Sequence, residues 1–413
     1  MPIRCHLARK TVCAIDTIHQ NMTNAISPSS GISSFFCPTQ IHMGKGSIEL
    51  LPGLLAQQRS SSILLVIDKA VLESPFGQSV LRMLDSSNVT YSIFSDIEPD
   101  PSDTVVAKGF SQLPGTSGCG VVAIGGGSSM DVAKAIGILA TNGGRIHDYE
   151  GIDKYSTPPL PLIAVPTTAG TGSEVSGSCV ITDAATGRKM SIRHARLNPA
   201  RHAILDPDAV RTLPAHVAAH AGVDAFVHAL ESLTSRQANL VTDAINLQAI
   251  SLLSSSLPAF VADRQNSDAA LNCLVGSALT GMVFGQTGLG NVHCMARFVG
   301  AKYHVSHGLS NALCLPVVAR FNATAVPGKY AQVARAMAVS SHDTPEAQAV
   351  HAALDAIARL CVSVGIPAGL RDVGASQDDL APMAADCAKA GYNRWNPRET
   401  SEADFLELFK AAY

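Results

Sequence analysis

Four side chains in the second half of the 413-residue chain are of types that bind metals: Asp224, His228, His293 and His307. Asp224 and His228 stand at i and i+4 in Gly222-Val223-Asp224-Ala225-Phe226-Val227-His228, which puts both on one face of a helix where they can share an ion. Gly288-Leu289-Gly290-Asn291-Val292-His293 and His307-Gly308 add two imidazoles, separated by a connection containing Gly, Tyr and His that can turn the chain back. Three imidazoles and one carboxylate suit a divalent first-row ion such as Fe²⁺ or Zn²⁺. An isolated Asp-x-x-x-His is common on surface helices. The chain has 14 histidines, so the set gains meaning only beside a second feature.

That second feature is a pair of small-residue loops. Gly125-Gly126-Gly127-Ser128-Ser129 follows the apolar strand Gly120-Val121-Val122-Ala123-Ile124 and precedes a helical stretch from Met130 to Gly137. Strand, glycines, helix is the geometry that gathers backbone N–H groups and the positive end of a helix dipole around a phosphate, and it suits a pyrophosphate. The spacing is neither GxGxxG nor a Walker loop, and a tight turn needing positive φ is the alternative. A second loop, Pro166-Thr167-Thr168-Ala169-Gly170-Thr171-Gly172-Ser173-Glu174-Val175-Ser176, follows the strand Leu160–Val165. The hydroxyls of Thr167 and Thr171 are donors that reorient freely beside a cofactor, although alone this loop also reads as a helix cap. Asp68 ends an earlier strand, where an acid bonds a ribose 2′-OH and repels a 2′-phosphate, favouring NAD over NADP. Helix N-cap is the other reading of Asp68, and both stay open.

The elements needed to position these groups are visible in the pattern. Gly44-Lys45-Gly46-Ser47 opens a helical stretch to about Gln58, and Ile63–Asp68, Tyr91–Phe94 and Gly120–Ile124 read as buried strands alternating with helices. Such alternation predicts a doubly wound, mostly parallel α/β sheet with ligands at the carboxyl ends of its strands. Beyond about Thr212 the spacing turns helical, over 215–235, 237–256, 267–284, 308–320, 328–339, 344–364 and 402–412. The chain thus divides into an α/β domain, residues 33–212, and an all-α, metal-binding domain, residues 213–413.

Composition excludes several classes. Thirty basic and 33 acidic residues leave a net charge of −3, with no basic block of the kind that binds nucleic acid. No continuous apolar run approaches the 18 or more residues of a membrane span. Ten cysteines without a CxxC pair read as reduced core thiols in a cytoplasmic protein. Residues 1–32 carry Arg4, Arg9 and Lys10 but lack the apolar segment of a secretory signal. They read as a disordered or mis-annotated extension, with a transit peptide as the alternative and Met22 as an internal start.

In order along the chain, Gly-Gly-Gly-Ser-Ser-Met-Asp at 125–131, the loop at 166–176, Gly-Val-Asp-Ala-Phe-Val-His at 222–228, Gly-Leu-Gly-Asn-Val-His at 288–293, His307-Gly308-Leu309-Ser310-Asn311-Ala312 and Asn396-Pro397-Arg398 resemble the iron-containing (group III) alcohol dehydrogenase family. The resemblance covers residues 36–413. It implies a metal-dependent NAD(H) alcohol dehydrogenase or aldehyde reductase, its metal and nicotinamide meeting between a dinucleotide-binding α/β domain and a helical domain. It places Asp224, His228, His293 and His307 on the family's metal-ligand positions, usually occupied by iron. Gly126, Gly127, Ser128 and Asp131 match the pyrophosphate turn. Thr167, Thr168, Thr171, Ser178 and Lys189 match positions lining the nicotinamide and ribose, and Asp68 matches the acid that accompanies NAD preference.

One position departs from that pattern. The family commonly has a histidine four residues after the third ligand, a proton-relay candidate, and here it is Arg297. An arginine stays protonated and cannot relay a proton, which leaves His304 or a ribose–water chain for that task. Its planar fork instead suits a carboxylate, sulfonate or phosphonate, pointing to an aldehyde with an acidic substituent. The alternative is that Arg297 pairs with an acid on a neighbouring helix and the substrates are plain short aldehydes and alcohols. A glycerol-type polyol dehydrogenase, a synthase-like relative that uses NAD transiently and a non-catalytic nucleotide-binding sensor are the other functional readings. A homodimer or larger homo-oligomer is expected, with an edge strand near residues 34–43 available to pair across a two-fold axis.

Overall fold

The computed structural model describes residues 33–413; the expected extension 1–32 lies outside them. Six parallel strands form the main sheet, β1 Gln40–Met43, β2 Ser62–Ile67, β3 Thr90–Phe94, β4 Cys119–Gly125, β6 Leu162–Pro166 and β9 His202–Leu205, in the order β1-β9-β6-β4-β2-β3. A small sheet of β5 Gly151–Ile152, β8 Lys189–Arg193 and β7 Ser178–Thr182, in that order, stands beside it.

The sheet is doubly wound because its strands are apolar on both faces. Leu64, Val66, Val121, Ala123, Leu162 and Ala164 pack into one core with α4 (Asp103–Phe110) and α5 (Gly127–Asn142). Their neighbours Ile63, Leu65, Ile67, Val122, Ile124 and Val165 pack on the other side with α1 (Leu51–Gln57) and α3 (Pro75–Asp85). The short α2 (Lys69–Glu73) lies between β2 and α3 in sequence.

The second half is helical, as expected: α6 Ala215–Thr234, α7 Leu240–Ala262, α8 Ser267–Thr287, α9 Asn291–Tyr303, α10 His307–Ala323, α11 Pro327–Ala336, α12 Glu346–Ser363, α13 Leu380–Lys389 and α14 Glu402–Ala412. Their buried faces share one apolar core, and residues 37–413 form one unit. Two expectations change. The stretch between His293 and His307, expected to be a turning connection, is mostly the helix α9, and α13 is a helix outside the expected helical stretches. In addition, α7 and α8 have mean hydropathies of 1.4 and 1.3 and are long and apolar enough to cross a membrane, although no continuous apolar run is that long. Part of each helix is buried within the protein, at Leu253, Leu257, Phe260, Leu274 and Ala278, while Leu240 and Val241 at the start of α7 are exposed.

Candidate active site

The helix α6 carries Asp224, His228 and Glu231 at i, i+4 and i+7, so all three lie on one face, and all are at most 5% exposed. His293 enters from the first turn of α9 and His307 from the first residue of α10. Gly308 permits that approach, since a Cβ there would stand 2.4 Å from the His220 carbonyl of α6. One ligand atom from each of Asp224, His228, His293 and His307 lies within 4.8 Å of the others. His293 Nε2 and His307 Nε2 are each 3.7 Å from Asp224 Oδ1. The His228 ring stacks on His293 at 4.7 Å and on Phe284 at 4.6 Å.

Glu231, which the sequence reading passed over, organises this cluster. One of its oxygens accepts from Val292 N at 2.6 Å, capping α9, and the other accepts from His293 Nδ1 at 2.6 Å. That bond fixes the tautomer in which the Nε2 lone pair faces Asp224. Asn311, one turn into α10, donates from Nδ2 to Asp224 Oδ1 at 2.6 Å. Asn396 of the Asn-Pro-Arg motif supports α9 as well, its Oδ1 accepting from Asn291 N at 3.2 Å.

The electrostatics suit a cation. Burial opposes ionisation of Asp224, but the three imidazoles outweigh it and hold the carboxyl below its usual range. Burial pushes His228 down to about 4, keeping it neutral. Burial opposes protonation of His293 too, but Glu231 and Asp224 prevail and raise it. His293 Nε2 and His228 Nδ1 are buried without a hydrogen-bond partner. An orphaned imidazole nitrogen 3.7 Å from a carboxylate, with two more histidines in the same cluster, is what a divalent ion would satisfy, so the residues fit the expected metal.

On the α/β side, the two loops emerge from adjacent strands β4 and β6, and Thr167 N donates to Gly125 O at 2.9 Å. Gly126 and Gly127 face Thr168 and Thr171; a Cβ on Gly127 would come to 3.0 Å from Thr171 Cγ2. The N-cap of α5 is Gly126, which offers no side chain to its free N–H groups. A bare helix start beside Ser128 and three threonines fits a pyrophosphate. Asp68 caps α2, accepting from Ala70 N at 2.9 Å and Val71 N at 3.4 Å through Oδ1, so the N-cap reading is realised while Oδ2 is not used in the cap.

Other residues expected at the cofactor make bonds within the protein. Asp131 accepts from Ser173 Oγ at 2.9 Å and Val180 N at 3.0 Å, tying α5 to the second loop and β7. Lys134, buried and unforeseen, reinforces that tie by donating to Ser173 Oγ, Ser176 O and Ser178 O at 2.7–3.1 Å. Lys189 meets Asp100 at 2.6 Å on the surface. His304 is the exposed, left-handed C-cap of α9, with φ 52°. It is absent from the clustered ligands. Arg297, one turn beyond His293, is exposed, and its guanidinium carbon lies 6.0 Å from the Phe298 ring. Among the described residues no carboxylate pairs with it.

The chain is similar to known proteins over most of its length. Residues 38–207 match the family model "Iron-containing alcohol dehydrogenase" and residues 218–413 match "Fe-containing alcohol dehydrogenase family, C-terminal". The chain is 38% identical to a 1,3-propanediol dehydrogenase of Citrobacter freundii, covering 92% of this chain and 97% of that protein. It is 32% identical to an NAD-dependent methanol dehydrogenase of Bacillus methanolicus, over 92% and 100% of the two chains. The structure of a sulfoacetaldehyde reductase from Bifidobacterium kashiwanohense in complex with NAD⁺ superposes with a TM-score of 0.82 at 27% identity, over 92% and 98%. With both halves matched and relatives aligned over nearly their whole length, the chain belongs to the iron-containing alcohol dehydrogenase family.

Proposed function

We propose that Asp224, His228, His293 and His307 hold one divalent ion, that the glycine turn and the threonine loop hold NAD(H), and that Arg297 holds an acidic group on the substrate. As a member of its family the chain is a metal-dependent alcohol dehydrogenase and aldehyde reductase, exchanging hydride between NAD(H) and a small alcohol or aldehyde. Iron is the ion we assign; zinc fits the same donors.

The bound ion supplies Lewis acidity toward the substrate oxygen. The protein's own part is orientation. Glu231 keeps His293 in one tautomer, and Asn311 keeps Asp224 from rotating away. Gly126, Gly127 and Ser128 would let a pyrophosphate approach the start of α5, and Thr167, Thr168, Thr171 and Ser178 would line the ribose and nicotinamide side. Asp68, whose Oδ2 is not used in the cap, would be the acid offered to the ribose 2′-OH and would favour NAD.

The substrate reading rests on one observation: an exposed guanidinium one helical turn beyond a proposed metal ligand, with no carboxylate paired to it among the described residues. A fork of that kind binds carboxylate, sulfonate or phosphonate oxygens in parallel pairs. One structural neighbour is named for a sulfonate-bearing aldehyde. Short semialdehydes, sulfo-aldehydes and phosphono-aldehydes form the substrate class. In an NADH-oxidation assay on iron-loaded protein, Arg297→Ala raises KM for these about 10–100-fold, the loss of a charged hydrogen-bond pair, and leaves neutral aldehydes within about threefold. Equal effects on both classes would sink the reading.

We assign the protein to the cytoplasm, since its eight described cysteines are all free. It works there as a homodimer joined through β1, which is hydrogen-bonded on one side only, with its α/β and helical domains meeting near residue 212 and with no nucleic-acid or membrane partner.

A further inference from the structure

At the amino ends of the strands, opposite the end where the glycine turn lies, is a cavity of about 610 Å³, a size typical of small-molecule sites. Gln40, Leu162 and His202, the first residues of β1, β6 and β9, mark its position. Its charged lining has one sign: Arg59, Arg196 and Arg201 reach it, and no Asp or Glu among the described residues does. The ammonium of Lys134, also in its wall, is already bound within the protein.

Three further observations converge on this cavity. His202 is 2% exposed. Its Nδ1 lies 3.2 Å from His42 Nε2, and its Nε2 has no partner. Gln58, in the same wall, has both amide atoms buried and unpartnered. Buried polar groups of this kind are normally satisfied by a ligand or by water. Arg59 follows α1 with φ 58°, its N–H donating to Ala56 O while Ser60 N donates to Leu55 O. That is a helix-ending position where glycine is favoured, and a strained arginine facing a cavity invites a functional account. Pro158, Pro159 and Leu160 add an apolar side.

We propose that this cavity is a second ligand site that takes a small organic phosphate, its oxygens on Arg59 and Arg201 and its body against the proline wall. Guanidinium forks match phosphate geometry, and Gln58 and His202 add directional partners. Ala133 and Gly137 of α5 also line it, so the site backs onto the helix whose start forms the glycine turn.

Thermal unfolding of the full chain, saturated with NADH so that the dinucleotide cleft is filled, tests this with uridine 5′-monophosphate as the probe. At millimolar concentration the nucleotide raises Tm by about 2–4 °C if it binds well below that concentration. Uridine gives no shift. Arg201→Gln and Arg59→Gly each abolish the shift, and Arg59→Gly, which relieves the left-handed backbone, unfolds no earlier than the parent protein. The proposal is overturned by no shift with the nucleotide, by an equal shift with uridine, by a shift that survives both substitutions, or by one that disappears as NADH is raised.

Discussion

Two groups of carboxylates and imidazoles draw together in this molecule, and they differ in what stands behind them. In the first, Asp224, His228 and His293 are buried, and each element that carries a ligand is braced by another. Glu231 fixes the His293 tautomer and caps its helix, while Asn311 fixes Asp224. In the second, Asp103, His147 and Asp183 converge from α4, a 3₁₀ turn and the β7–β8 turn, with His147 Nε2 3.9 Å and 3.6 Å from the two carboxylates. There the acids already serve their own loops. Asp103 accepts from Ala184 N, and Asp183 accepts from Ala185 N and Thr186 Oγ1. Convergence alone therefore does not make a metal centre; buried donors with free lone pairs and a second layer of hydrogen bonds do.

The most severe way to break that contrast is to remove the anion of the first group. Asp224→Ala removes the one carboxylate among the four clustered donors and leaves three imidazoles, so the protein purifies without stoichiometric metal. NADH-dependent reduction falls about 10³-fold or more, the scale of losing several kcal/mol of Lewis-acid stabilisation. Metal analysis beside kcat is the measurement. Retention of a full equivalent of metal with wild-type turnover would show that these donors are not the centre.

A finer cut touches only the layer behind the ligands. Glu231 presents one oxygen to Val292 N and the other to His293 Nδ1, both at 2.6 Å. Glu231→Gln keeps a single acceptor, so one of those N–H groups faces an amide NH₂ instead. The metal dissociation constant rises about 10–100-fold, as for other groups that orient a ligand from behind, while far-ultraviolet circular dichroism is unchanged. If metal titration gave the parent value, Glu231 would be only a helix cap.

The same contrast explains what the sequence disclosed. The glycine turn and the strand–helix alternation were legible because each is written locally, in periodicity and small residues. Glu231 is legible in the same way, since Asp224, His228 and Glu231 repeat along one helix face at i, i+4 and i+7. The helix α9 was not legible. Gly290, Gly300 and Tyr303 resemble a connection, and the groups that cap its start, Glu231 and Asn396, lie 61 and 105 residues away in sequence. The roles of Asp131 and Lys134 were equally hidden, because their partners at 173–180 are set by how α5 packs against β7.

The smallest expected effect sharpens the comparison from the other side. His147→Ala removes the imidazole of the second group and leaves Asp103 and Asp183 bonded to their own loops. Metal content and kcat stay at parent values, and Tm falls by no more than about 2 °C, because partly exposed ion pairs contribute little. The pH dependence follows from Asp183, whose carboxyl is held below its usual range first by the Thr186 hydroxyl and then by Ala185 N, with burial opposing. A depressed carboxylate adds stability that is present above its unfolded pKa and is lost as pH falls through the lower folded value. The contribution is therefore complete at neutral pH and fades below about pH 4. Thr186→Ala, which removes the largest cause, narrows that acid-side loss without altering stability trends above pH 6. Loss of a metal equivalent in His147→Ala would instead make the second group a centre in its own right and erase the distinction drawn between the two.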